Sequence, residues 1–103
     1  MKIAVASLGK DENSDVSERA GRAPYYLIFN ENGELLESVK NPFAMGGGGA
    51  GFGVAKMLAD KGVGIVIAGK FGPNMTSAME ARGLKYTEVG GKVRDALNEV
   101  LKG

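Results

Sequence analysis

Three glycine-bearing segments carry the residue types in this sequence that could do chemistry. They are Ser7-Leu8-Gly9, the tract 46–49, and Gly69-Lys70-Phe71-Gly72-Pro73. Glycine lets a ligand approach the main chain closely, and backbone N–H groups at the start of a helix favour an anion. Lys70 and Lys10 could add positive charge. The pattern predicts an anion site built largely from backbone, with the candidate residues Ser7, Gly9, Gly46, Gly47, Gly48, Gly49, Gly69, Lys70 and Gly72.

The residue types that are missing exclude most other site chemistry. The chain contains no Cys and no His. Thiolate zinc sites, iron–sulfur clusters held by Cys, Cys nucleophiles, Ser-His-Asp triads and imidazole–metal sites are therefore excluded. Because no general base with a supporting set of residues is visible, we expect a protein that is not an enzyme.

Two nucleotide-binding motifs and one cation motif fail on their details. Residues 46–51 fit G-x-G-x-x-G, but any glycine run does, and Lys70 stands where an acidic ribose partner is expected. Gly53 is followed by Val54, so the Gly-Lys-Ser/Thr ending of a phosphate loop is absent. The acidic segment 11–15 lacks the spacing and distal Glu of a calcium loop, which favours a solvated loop. We predict no metal-ligating residues.

Length and charge bound the class of protein. A chain of 103 residues with 13 basic and 12 acidic side chains is most simply one domain, 1–103. A net charge of +1 argues against a general nucleic-acid or membrane-surface binder. No apolar run approaches the ~20 residues of a membrane span, and the N-terminal run is too short for a signal peptide. We expect a cytoplasmic protein with no nucleic-acid or membrane partner.

Hydrophobic patterning predicts an α/β fold. Apolar runs indicate buried strands at 2–7 and 64–69, and the Asn32-Gly33 pair indicates a hairpin joining strands 25–29 and 35–40. Three helices are predicted: from within the glycine tract to about Lys61, from Pro73 to before Gly83, and after Gly90-Gly91. Residues 84–88 form the last predicted strand.

This element order predicts a mixed five-stranded sheet between helices. The hairpin makes the second strand antiparallel, and right-handed crossovers make the later strands parallel. The simplest order is 3-2-1-4-5, with the strand 35–40 at an edge. Ligands of open α/β sheets bind outside the carboxyl ends of strands, where the direction of strand addition reverses. That place lies between the first and fourth strands, and the three glycine-bearing segments are expected to meet there.

Residues 16–26 carry a family resemblance. Val16-Ser17-Glu18-Arg19-Ala20-Gly21-Arg22-Ala23-Pro24-Tyr25-Tyr26 resembles the V-S-x-H-F-G-R-A-x-Y-F signature of the dinitrogenase iron-molybdenum cofactor biosynthesis family. The glycine tract, the 69–73 turn and the start of the last helix follow the same family's layout. The resemblance covers nearly the whole chain. It implies a ribonuclease-H-like, three-layer α/β/α fold and a carrier that binds a metal-cluster precursor of the nitrogenase cofactor.

The chain departs from this family at one telling place. Arg19-Ala20 replaces the His-Phe pair of the signature, so neither thiolate nor imidazole can ligate a cluster. An anionic cluster, or a different anionic ligand, would then be held by backbone N–H groups together with Arg19, Arg22 or Lys70. A nuclease role suggested by the fold fails, because the central strands carry no clustered carboxylates.

Two hypotheses follow. The first is a non-enzymatic binding protein that holds a small anionic ligand or metal cluster at the carboxyl-end rim of the sheet. The alternative is a protein-interaction module with no bound ligand, in which the edge strand 35–40 or the glycine loop contacts a protein partner.

Overall fold

The computed structural model describes residues 1–45 and 50–103 of the chain. Within these residues, five strands and three helices follow one another in the predicted order. Their bounds are β1 Lys2–Ser7, β2 Tyr25–Phe29, β3 Leu35–Lys40, α1 Ala50–Asp60, β4 Val63–Ala68, α2 Pro73–Ala81, β5 Lys85–Glu88 and α3 Val93–Lys102.

The sheet has the predicted order, β3-β2-β1-β4-β5. β1 pairs antiparallel with β2 and parallel with β4, so the two most apolar strands lie side by side at the centre. β2 pairs antiparallel with β3, which places β3 at the edge. β4 and β5 are parallel. The change in the direction of strand addition therefore falls between β1 and β4, as predicted.

Helices cover both faces of the sheet, and the predicted three-layer architecture is confirmed. Alternate residues of a strand face opposite sides, so each strand supplies two cores. α1 and α2 pack against one face, with the strand residues Ala4, Ala6, Tyr26, Ile28, Val66 and Ala68. α3 packs against the other face, with Ile3, Val5, Leu27, Phe29 and Ile67.

Two strand boundaries differ from the prediction, and hydrogen bonding explains both. β4 runs from Val63, which pairs with Lys2, and ends before Gly69, whose N–H donates instead to the Ser17 carbonyl at 2.9 Å. β5 begins at Lys85, because the N–H of Leu84 donates to the Met79 carbonyl of α2 at 2.9 Å. Gly62 and Gly83 end their helices with φ of +82° and +74°, a conformation that glycine adopts without steric cost.

Tyr26 gives the fold a pH dependence above pH 10. Its ring is fully buried and its hydroxyl donates to the Ala20 carbonyl. Burial raises the pKa of Tyr26 far above its ordinary value of 10.0. Below pH 10 the phenol is neutral in both the folded and the unfolded chain, and its contribution to stability does not change with pH. Above pH 10 only the unfolded chain loses the proton, so the free energy of unfolding falls as pH rises.

We expect this loss to be about 1.4 kcal/mol per pH unit above pH ~10 for the single phenol. The Tyr26→Phe variant should lose the hydrogen bond to Ala20, worth about 1–2 kcal/mol at neutral pH, and should show a shallower decline in alkali. Urea unfolding of both proteins at several pH values between neutral and strongly alkaline measures the difference. Equal slopes for the two proteins would contradict the assignment.

Candidate functional site

A cavity of about 440 Å³ opens at the carboxyl ends of β1 and β4. Three segments form it: the 18–22 part of the long loop after β1, the first residues of α1, and the turn that leads from β4 into α2. Its lining residues are Glu18, Arg19, Ala20, Gly21, Arg22, Ala50, Gly51, Lys70, Phe71, Gly72, Pro73, Asn74 and Met75.

Backbone hydrogen bonds fasten the long loop to the central strands. The N–H of Ser17 donates to the Ala6 carbonyl at 2.9 Å, and Gly69 donates to the Ser17 carbonyl at 2.9 Å. One step further, the N–H of Ala20 donates to the Lys70 carbonyl at 3.0 Å. Through these bonds the loop lies between the carboxyl ends of β1 and β4, and Arg19 is set beside Lys70 in a parallel bridge.

Two buried side chains support the same loop from behind. The Tyr26 hydroxyl donates to Ala20, and the buried amide of Asn41 donates to the carbonyls of Gly21 at 3.2 Å and Ala23 at 2.9 Å. The Asn41 carbonyl oxygen accepts the N–H of Phe43 at 3.0 Å. Sequence reasoning missed both roles. An Asn before Pro42 indicates only a turn, and nothing in the sequence marks it as buried.

The acidic first part of the loop is held by α3. Lys92 pairs with Asp15 at 2.9 Å, and the Nε of Arg94 donates to Glu12 at 2.9 Å. The N–H of Val93 also donates to the Ser14 carbonyl at 2.9 Å. The carboxylates of Glu12 and Asp15 therefore anchor the loop to α3. Across residues 1–45 and 50–103, no group of three or more carboxylates is placed to hold a metal ion.

The cavity is rich in positive charge. The guanidinium of Arg19 and the ammonium of Lys70 are exposed, and neither has an ion-pair partner within the described residues. Arg22 also lines the cavity, and its Nη1 donates to the Phe43 carbonyl at 3.4 Å. Glu18 is the carboxylate that faces this part of the described structure. Three cations against one carboxylate favour an anionic ligand.

The start of α2 supplies backbone donors to the same cavity. Gly72 is the N-cap, Pro73 opens the helix, and Asn74 and Met75 follow in the first turn. The N–H groups of a first turn have no acceptor inside the helix and carry the positive end of its dipole. The N–H of Phe71 differs, because it donates to the Glu88 carboxylate at 3.1 Å.

The beginnings of α1 and α2 touch through glycine. A Cβ at Gly51 would lie 2.9 Å from the backbone nitrogen of Met75, and one at Gly21 would lie 3.5 Å from the nitrogen of Gly51. A Cβ at Gly51 would separate the two helix starts, whereas the approach at Gly21 is an ordinary van der Waals contact. Glycine at position 51 therefore lets the starts of α1 and α2 meet beside the cavity.

The structure divides the predicted site residues into three groups. Arg19, Arg22, Lys70 and Gly72 line the cavity together. Ser7, Gly9 and Gly69 do not line it, and their polar groups are bonded within the protein. The Ser7 hydroxyl donates to the Gly9 carbonyl at 2.7 Å, and the Gly9 N–H donates back to that hydroxyl at 3.2 Å. The N–H of Gly69 donates to Ser17, as described above. The predicted residues Gly46, Gly47, Gly48 and Gly49 lie outside the described residues.

Fold and cavity together define a small three-layer α/β protein with a cationic pocket at the topological switch point. The family described as dinitrogenase iron-molybdenum cofactor matches residues 1–103, and the chain belongs to this family. No curated protein matches the sequence. In the part of the chain that the structure describes, no helix has the length and apolar composition needed to cross a membrane.

Several solved structures share this fold. A protein from Thermotoga described as NifB-like is 36% identical with a TM-score of 0.84, and the match covers 99% of this chain and 88% of that one. The orange protein from Desulfovibrio gigas, solved in its apo form, is 31% identical with a TM-score of 0.91 and the same coverages. A dinitrogenase-like protein from Methanocaldococcus jannaschii shares the fold at 15% identity, with a TM-score of 0.70 and coverages of 100% and 89%.

Proposed function

We propose that this protein is a non-enzymatic carrier that holds an anionic metal cluster, a precursor of the iron-molybdenum cofactor, in the cavity beside α2. The observation that carries the proposal is that Arg19 and Lys70 line the same cavity as the first turn of α2. Neither cation has an ion-pair partner in the described residues. The cluster is cargo in this account and is neither consumed nor chemically changed.

The residue types available in the chain determine how the cluster is bound. With no Cys and no His in the chain, the protein offers no thiolate or imidazole to complete a metal's coordination. Guanidinium, ammonium and backbone N–H groups instead donate hydrogen bonds to the outer atoms of an anion. This set fits a cluster or oxyanion whose own ligands are already complete. The cargo would therefore be assembled elsewhere and bound intact.

The volume of the cavity and the family of the chain both support this proposal. A cavity of about 440 Å³ lies in the range of about 300–1,000 Å³ typical of small-molecule sites. Membership in the dinitrogenase iron-molybdenum cofactor family supplies the class of cargo. The orange protein, a 31% identical relative, is described in an apo form, a term used for a protein without the group it binds.

Removing the two cations should weaken binding of the cargo. We expect the Arg19→Gln/Lys70→Gln variant to bind an anaerobically prepared iron–molybdenum–sulfur cluster at least tenfold more weakly, since each charge-assisted hydrogen bond is worth about 1.5 kcal/mol. Molybdate and phosphate serve as simpler probes. Absorption spectroscopy of the cluster and calorimetry of the oxyanions measure the affinities.

The matched control removes the same charge away from the carboxyl ends of the strands. Lys85 begins β5 and Lys102 ends α3, and both are exposed. The Lys85→Gln/Lys102→Gln variant should bind as the unmodified protein does. Equal losses of affinity in both variants would show that the effect comes from net charge alone and would refute a local site. Unchanged affinity in the Arg19/Lys70 variant would refute the proposal itself.

A further inference from the structure

A second concave surface lies on the other side of the loop segment that walls the cavity. It is a groove of about 800 Å³, and we call it the Leu8 groove. Glu18, Arg19 and Arg22 line both the groove and the cavity. The remaining lining residues of the groove are Leu8, Val16, Ser17, Pro24, Ala44 and Met45.

Two large apolar residues that line the Leu8 groove are exposed. Leu8 is 55% exposed and Met45 is 98% exposed, although both are large apolar residues. Neither takes part in the two core clusters of the sheet. Large apolar side chains held at a concave, partly polar surface are typical of protein–protein contact sites, and Met adapts its shape to a partner.

The lining of the groove carries more positive than negative charge. Arg19 and Arg22 line the groove directly. Two lysines flank the neighbouring Tyr25: the Nζ of Lys10 lies 6.0 Å from its ring centroid, and Lys40 is its partner across the β2–β3 pairing. These two lysines add positive charge near the groove but do not line it. The carbonyl of the nearby Asp15 accepts the N–H of Leu8 at 3.0 Å, and its carboxylate pairs with Lys92. Glu18 is the acidic residue that lines the groove within the described structure.

We propose that the Leu8 groove docks another protein through an acidic segment that carries one or two large apolar side chains. The positive charge of Arg19 and Arg22 selects the acidic segment, and Leu8 and Met45 supply apolar contact area beside it. A nucleic acid would use the cations but not these apolar side chains. This inference rests on the groove's own geometry and holds whether or not the cavity binds an anion. The shared wall would place the docked protein next to the cavity.

Synthetic peptides test the proposed chemistry directly. We would measure fluorescence anisotropy with a short peptide in which Leu and Phe are separated by Asp and Glu, and with a second peptide in which Lys replaces every acid. The acidic peptide should bind at least tenfold more tightly than the basic one. Its affinity should fall at least tenfold when the Debye length is shortened from about 30 Å to about 3 Å by salt. No binding of the acidic peptide at roughly 1 mM would overturn the proposal.

Paired variants locate the site. Leu8→Ser/Met45→Ser should reduce the affinity for the acidic peptide at least tenfold, while molybdate binding at the cavity stays unchanged. The control Leu36→Ser/Phe52→Ser alters two other large apolar residues, 48% and 51% exposed, that do not line the groove, and it should keep full affinity. Equal effects of the two double variants would overturn the assignment.

Two further outcomes would replace the proposed occupant. If single-stranded DNA binds as tightly as the acidic peptide and does so equally in the Leu8→Ser/Met45→Ser variant, the surface recognises phosphate and the proposal fails. If sedimentation shows a dimer that the same variant dissociates, the occupant is a second copy of this chain.

Discussion

Replacing Gly72 by Asp is expected to abolish binding of molybdate, and of a cluster, without destabilising the protein. Gly72 is the N-cap of α2, with φ −79°, ψ 162° and no side-chain capping hydrogen bond. A Cβ there would meet nothing within 4 Å. The Asp carboxylate would accept hydrogen bonds from the first turn of α2, as N-cap residues do. It would thereby occupy the donors proposed for the ligand and place a negative charge beside Arg19 and Lys70.

Two substitutions at the same position separate charge from capping. Gly72→Asn offers a similar cap without the charge, and Gly72→Ala offers neither. We expect the affinity for molybdate to be highest in the Ala variant, lower in the Asn variant and lowest in the Asp variant. The affinity of the Asp variant should be at least 100-fold below that of the unmodified protein. The Asp variant should be at least as stable to urea as the unmodified protein, since Asp is a better N-cap than Gly by a few tenths of a kcal/mol. Unchanged molybdate binding in the Asp variant would mean that the start of α2 is not part of the site.

Replacing Gly69 by Ala should destabilise the fold and weaken the site together. The new Cβ would lie 2.9 Å from the Cα of Glu18 and 3.2 Å from the Ser17 carbonyl oxygen, which are backbone atoms and cannot rotate away. The loop must move off β4, which strains the hydrogen bond from Gly69 to Ser17. We expect a loss of about 1–3 kcal/mol in the free energy of unfolding, as for other overpacked positions.

Gly72→Ala is the matched control for this second prediction. It lies in the same turn and adds the same methyl group, but into open space, so only the poorer capping by Ala should reduce its stability, by about 0.5–1 kcal/mol. Urea unfolding of the two variants measures the contrast. Molybdate affinity should also fall in Gly69→Ala, because Arg19 moves relative to Lys70. Equal stability of the two variants would contradict the described packing of the loop on β4.

The architecture could be read from the sequence because local signals agree with the global fold. The unbroken apolar runs of β1 and β4 required burial on both faces, which places them together at the centre. The Asn32-Gly33 pair indicated the antiparallel hairpin, in which Gly33 adopts a positive φ of +82°. Helices that follow strands then left few arrangements of the remaining elements.

The site could be predicted only in part, because its construction depends on contacts between distant residues. The sequence indicated the end of the sheet and the cations, and the cavity brings Arg19, Arg22, Lys70 and Gly72 to that place. It did not indicate that the amides of Gly9 and Gly69 are bonded within the protein. Nor did it indicate that Asn41, about 20 residues away along the chain, holds the loop from behind.

The most direct measurement is a titration of the ¹⁵N-labelled protein with molybdate, followed by backbone amide chemical shifts. The account predicts saturable shifts at the amides of residues 18–22, 70–72, 74 and 75, the largest at Asn74 and Met75, and their loss in the Gly72→Asp variant. No saturable shifts, or shifts confined to the β3 edge or the far ends of the strands, would contradict it.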